Sequence, residues 1–181
     1  MAKKFKLNLG SILIIIGFVF GICSLICLAG AGLTGTASFS GISGSVTYNL
    51  AGFIGGNYTV TTVATVAGQS ATTTATLEGG VSIFGIIAVT LTVLGAFVTI
   101  AGLLFKKKAL VLIGGVLFLL SGISIFLLKV AGSDMAEGLS FVDFFKGTKE
   151  APINLGVGTI FYGILSILGG ALTTVGAVLK K

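Results

Sequence analysis

At 181 residues, 55% of them hydrophobic and only 9% charged, the chain cannot cover a soluble globule with polar side chains, since a soluble domain carries roughly 25% charged residues. A mean hydropathy of +1.16 leaves lipid as the solvent and one domain as the size. The net charge of +6 comes from lysine alone, with no Arg or His in the chain. Its placement, described below, requires no nucleic acid.

Lys3, Lys4 and Lys6 precede the first apolar run, residues 9–31. Ala29-Gly30-Ala31 at its end has the form of a signal-peptidase site. A signal h-region runs about 7–15 residues, however, and this one is longer, so an uncleaved first span is expected. Gly17 and Gly21 make a GxxxG pair within it. Span one is otherwise Ile, Leu and Phe, so this pair is its close-contact stripe, packing either against the other spans or against another chain. Cys23 and Cys27 share a helix face and read as buried free thiols. A lipoprotein signal would place a small residue before the cysteine, and Ile22 and Ile26 stand there instead.

The first outer loop, residues 32–80, is rich in Thr, Ser, Gly and Ala and too long for a simple connector. Residues 45–50, 57–66 and 70–77 alternate apolar and hydroxyl side chains, the period-two pattern of strands. Gly55-Gly56 and Gly68-Gln69 supply turns, and proline is expected to be tolerated at Gly68. A small antiparallel sheet on the outer face is the expectation. Asn57-Tyr58-Thr59 is an N-glycosylation sequon that matters only where the right transferase exists. Gly41-Ile42-Ser43-Gly44 has the GxSG spacing of rhomboid proteases, yet lies in the loop with no histidine to activate Ser43.

Residues 81–105 and 109–128 form the second and third spans, joined by Lys106-Lys107-Lys108. Glu78, the single acid of the first loop, stands at the mouth of span two. The second outer loop, residues 129–154, opens with Asp134 and Glu137 at capping-box spacing. Met135, Leu139, Val142 and Phe145 follow at helical spacing, which predicts a short amphipathic helix. Its acids Asp134, Glu137 and Asp143 read as a solvated face, not a metal site. Residues 155–179 make the fourth span, with small residues at Gly163, Gly169, Gly170, Thr173 and Gly176. Gly163 and Gly170, like Gly17 and Gly21, are therefore candidate packing or association positions. A faint duplication relates Gly10–Gly17 to Gly115–Gly122, and Gly95 through Thr99 to Gly170 through Thr174.

Each run is long enough for about 30 Å of hydrocarbon, and none carries a charge. Lys3, Lys4, Lys6, Lys106, Lys107, Lys108, Lys180 and Lys181 fall at the two ends and the middle turn without any acid. All five acids fall in the two other loops. Positive-inside orientation therefore puts both termini and the lysine turn in the cytoplasm of a multi-pass plasma-membrane protein. The fold expected is an all-α membrane four-helix bundle, one domain over residues 1–181, with the small sheet in its first outer loop.

Chemistry is scarce. The spans hold no His and no acid for intramembrane proteolysis or ion coupling, and no phosphate-binding Gly-rich loop is present. No catalytic residue, cofactor or metal is expected. Four spans with cytoplasmic ends, a long first outer loop with strands and a shorter second loop resemble the claudin-like tetraspan membrane proteins. The resemblance lies in arrangement over the whole chain. The claudin first-loop signature of tryptophans, a Gly-Leu-Trp segment and two disulfide-bonded cysteines is unmatched, since Trp is absent and both cysteines lie in a span. No residue role carries over. What the resemblance implies is lateral self-assembly and contact through outer loops. A structural or interaction protein, homo-oligomeric or accessory to a larger membrane complex and surrounded by membrane lipid, is the leading expectation. A passive channel or transport subunit is the alternative.

Overall fold

The computed structural model describes residues 8–39, 42–78, 80–129 and 153–180. In chain order its elements are α1 (Leu9–Cys23), a 3-10 segment (Ser24–Ala29), β1 (Ala31–Phe39), β2 (Ile42–Asn49), α2 (Gly52–Gly55), β3 (Asn57–Val66) and β4 (Gln69–Glu78). Then come α3 (Ile83–Leu104), α4 (Lys108–Phe126), β5 (Ile153–Leu155) and α5 (Val157–Leu179). Among the described residues, four helices are long and apolar enough to cross a bilayer: Leu9–Ala29, α3, α4 and α5, of 21, 22, 19 and 23 residues. At 1.5 Å per residue they reach about 28–35 Å. Asn8 starts the first of them by accepting the Ser11 amide at 2.9 Å, an N-cap that ties down an otherwise orphan donor.

The expected spans and sheet are present as elements, with adjusted bounds. Span one ends at Ala29, where the 3-10 segment tightens the last turn and β1 begins two residues later. The sheet has five antiparallel strands in the order β4-β3-β2-β1-β5, where the sequence pattern marks three. The β3–β4 turn is Ala67-Gly68, one residue earlier than expected, with Val66 paired to Gln69 across it. Both turn residues have positive φ, 51° at Ala67 and 81° at Gly68, the geometry that suits a two-residue hairpin. Proline at Gly68 is therefore excluded, because its ring fixes φ near about −65°. The amphipathic helix expected around Asp134 and Glu137 lies outside the described residues.

The chain divides into two compact units. The first holds Met1–Leu25, Ala88–Ile123 and Gly163–Lys181. Its helices are ordered opposite to those of a protein in water. Large apolar side chains face outward, among them Ile12 and Val19 of α1, Phe97 of α3, Val116 of α4 and Leu168 of α5. The buried positions are mostly glycines and hydroxyls, including Thr92, Thr99, Ser121, Ser166 and Thr173, with Ile14, Val111 and Phe118 among the few large apolar side chains inside. Aqueous burial selects for large apolar residues inside, so this arrangement has a different cause, taken up below.

The second unit holds Ile26–Ile87 and Ser124–Tyr162. Its sheet is built around one row of directly opposed residues: Leu155, Leu33, Tyr48, Val60 and Ala75, from β5 to β4. Leu33, Tyr48 and Val60 are buried, and Phe53 of α2 joins them, its ring edge-on to Tyr48 at 6.3 Å between centroids. Such aromatic pairs add about 0.5–1.5 kcal/mol beyond their buried area. The row goes on to β4, but the burial does not. Residues 70–76 of β4 are exposed along their whole length.

Candidate functional site

Helix contacts in the first unit repeat one geometry. A glycine of one helix sits over the carbonyl of residue i and the amide of residue i+4 on its neighbour. A Cβ built on Gly17 would stand 2.6 Å from the Gly169 oxygen and the Thr173 nitrogen. In return, a Cβ on Gly169 would stand 2.7 Å from the Gly17 oxygen and the Gly21 nitrogen. One heptad on, Gly10 and Gly176 make the same reciprocal contact, each meeting the other's carbonyl oxygen at 2.7 Å. Real Cβ atoms do not come that close, so only glycine fits. In lipid no hydrophobic force presses helices together, and backbone approach of this kind supplies the dispersion energy that does.

α4 and α5 are joined likewise. Gly170 meets the Gly115 oxygen at 2.6 Å, and Gly122 meets the Gly163 oxygen at 2.8 Å. Gly95 and Thr99 of α3 close on Gly114, just as Gly170 and Thr174 of α5 close on the adjacent Gly115. The two segments that resemble each other in sequence thus press on consecutive glycines of α4. Of the four positions singled out in sequence, Gly17 and Gly170 occupy these glycine sockets, and Gly163 supplies the carbonyl that Gly122 meets. Gly21 differs: a Cβ there would strike the ring of Phe118, 2.5 Å from its Cε1. Phe118 is fully buried and also lies 3.3 Å from the Cβ position of Gly95, so one ring is wedged between α1 and α3. The chain pattern does not separate Phe118 from its apolar neighbours. What marks its place is the pair of glycines opposite it.

Hydroxyl contacts cross between α3 and α4. Thr92 and Ser121 approach at 2.6 Å, hydroxyl to hydroxyl, and Ser121 also donates to the Ala88 carbonyl at 2.7 Å. Both side chains are fully buried. Hydrogen bonds of this class in lipid are worth about 0.6 kcal/mol on average, so these set the register of α3 against α4 more than they hold the pair.

A cavity of about 630 Å³ opens where the lysine-bearing ends of the four helices meet. Ile14 and Ile15 of α1, Leu103 of α3 and Val111 of α4 form its apolar wall, and Lys106, Lys108 and Lys180 also line it. The Lys108 ammonium donates to the Val178 carbonyl at 2.9 Å, which fixes a positive charge on the negative end of the α5 dipole.

In the second unit, Asn57 begins β3 as an exposed residue paired with Glu78. Ser43 stands in β2 between Ser38 of β1 and Thr65 of β3, a strand position with no base beside it in register. Among the described residues no group of three His, Cys, Asp or Glu side chains stands close enough to hold a metal. Asp134, Glu137 and Asp143 lie outside them. Cys23 and Cys27 are half-buried and form no disulfide.

The setting of Tyr48 in the sheet moves its titration. Burial raises its hydroxyl above the ordinary 10.0, because the phenolate would lose its hydration. The unfolded chain then loses the proton first, so stability is complete below about pH 10 and declines as pH rises through the folded value. Thermal melts of the sheet at stepped alkaline pH are expected to fall more steeply for the wild type than for Tyr48→Phe. Equal slopes would remove Tyr48 from the alkaline transition.

No family model matches the chain, and no curated protein matches its sequence.

Proposed function

We propose that this chain is a multi-pass plasma-membrane protein with both termini cytoplasmic, a structural or interaction component that associates through its outer sheet. It is not an enzyme and uses no cofactor. The membrane reading draws on the inverted order of the helices: glycine and hydroxyls within, Ile, Leu, Val and Phe without. Lipid solvates such a surface and water does not. The four helices act as an all-α transmembrane bundle, with lysines at one end as the positive-inside signal.

The association reading is carried by β4. It spans ten residues, Gln69–Glu78, at the outer edge of the sheet. Among the described residues no strand pairs its far side. Soluble proteins blunt such edges with lysine, proline or bulges. β4 has none of these, and its Ala-Thr-Thr-Thr-Ala-Thr stretch offers an uncharged ladder of backbone donors and acceptors. A second copy, or the edge strand of a larger membrane complex, would complete it by strand addition. That arrangement is the lateral contact through outer loops that a claudin-like tetraspan protein would make.

Thr72→Lys combined with Thr74→Lys puts like charges along that edge without touching the helices. Cross-linking in native membranes is expected to trap multimers or a fixed partner for the wild type, and several-fold less for the double variant. A wild type that stays monomeric in membranes and in mild detergent, with nothing retained, would overturn the assembly reading.

A further inference from the structure

Helices that touch backbone to backbone nevertheless leave a cavity of about 630 Å³ at their lysine-bearing end. Close-packed interiors hold few voids larger than a water molecule, and ligand sites are about 300–1,000 Å³. The lining is graded: Ile14, Ile15, Leu103 and Val111 on the wall, Lys106, Lys108 and Lys180 among the remaining positions. Helix capping accounts for Lys108, which is bonded to Val178, but not for a space with lysine on one part and aliphatic side chains on another. Among the described residues of this unit there is no acid to offset the lysines. Glu78, the one acid among the described residues, belongs to β4 in the other unit.

We propose that this cavity is a binding site for one anionic glycerophospholipid, its phosphate on the lysines and an acyl chain along Ile15 and Leu103, in front of the closed packing of Ile14 and Val111. A zwitterionic lipid fits the wall but gains little from the charges of Lys106 and Lys180. A free phosphate gains the charge and leaves the wall wet. Only an anionic amphiphile uses both. The site is independent of the sheet edge and requires only that the chain lie in a bilayer, which liposome flotation tests separately.

The full-length protein in neutral detergent is titrated with dioctanoyl phosphatidylglycerol, dioctanoyl phosphatidylcholine or inorganic phosphate, and bound molecules are counted by native mass spectrometry. One phosphatidylglycerol per chain is expected to saturate, about tenfold tighter than phosphatidylcholine, from the attraction of surface lysines for anionic lipid. Lys106→Gln with Lys180→Gln should erase that preference and leave phosphatidylcholine binding unchanged. Ile15→Trp, which fills the apolar wall, should weaken phosphatidylglycerol several-fold with every charge in place. Equal binding of the two lipids by the wild type would overturn the site, whether or not the variants fold. So would phosphate that displaces the lipid at equal concentration, or an Ile15→Trp protein that binds as the wild type does.

Discussion

Leucine at both Gly17 and Gly169 is expected to break the α1–α5 contact while leaving membrane insertion intact. Each position sits 2.6–2.7 Å from a carbonyl oxygen and an amide nitrogen of the facing helix. Backbone atoms cannot rotate aside as a side-chain tip can. Overpacking costs about 1–3 kcal/mol per site where side chains can still adjust, so two rigid sites together approach the whole stability of a typical domain, about 5–15 kcal/mol. The expected result is a large drop in melting temperature in detergent, with unchanged extraction in the membrane fraction. Gly35→Ala is the control, because nothing lies within 4 Å of a Cβ built there. A double variant that melts like the wild type and only changes particle size would show instead that Gly17 meets another chain.

Val60→Pro is expected to dismantle the sheet. β3 lies between β2 and β4, and Val60 is paired with Tyr48 on one side and Ala75 on the other. Proline removes its ladder donor, whichever neighbour receives it, and takes a buried side chain out of the Leu33–Tyr48–Val60 row. A lost bond together with lost packing comes to on the order of 3 kcal/mol. Gly68→Pro should do comparable harm at the turn, since φ there is 81°. Limited proteolysis of the intact protein reads both, with rapid cleavage expected within residues 42–78 in each variant. Protease resistance equal to the wild type would mean that these residues are not held as a paired sheet.

The four apolar helices were legible because twenty uncharged apolar residues have few alternatives, and β3 because Tyr58, Val60, Ala64 and Val66 alternate with mostly Thr. β1 carries the same alternation, Leu33 and Phe39 against Thr34, Thr36 and Ser38. Gly32 and Gly35 dilute it, and glycine has no side chain to mark a face. β5, three residues long, is too short for a period to register. Among the packing positions, the glycines could be listed from sequence but not assigned to partners. Which glycine opposes which depends on helix order, and that is fixed only by long-range fit. Phe118 shows the limit most plainly. It is chosen for burial by the absence of side chains on two other helices, Gly21 and Gly95, and nothing local to it says so.

The pairing of Gly10 with Gly176 and of Gly17 with Gly169 sets a timetable for biogenesis. α1 leaves the ribosome well before α5, whose glycines meet its own. Roughly 150 residues of synthesis separate them, or about 8–30 s at 5–20 residues per second. Through that interval Gly10 and Gly17 of α1 lack the α5 backbone that covers them. Completion of this bundle is therefore a late event, governed by when α5 arrives and not by how fast α1 inserts.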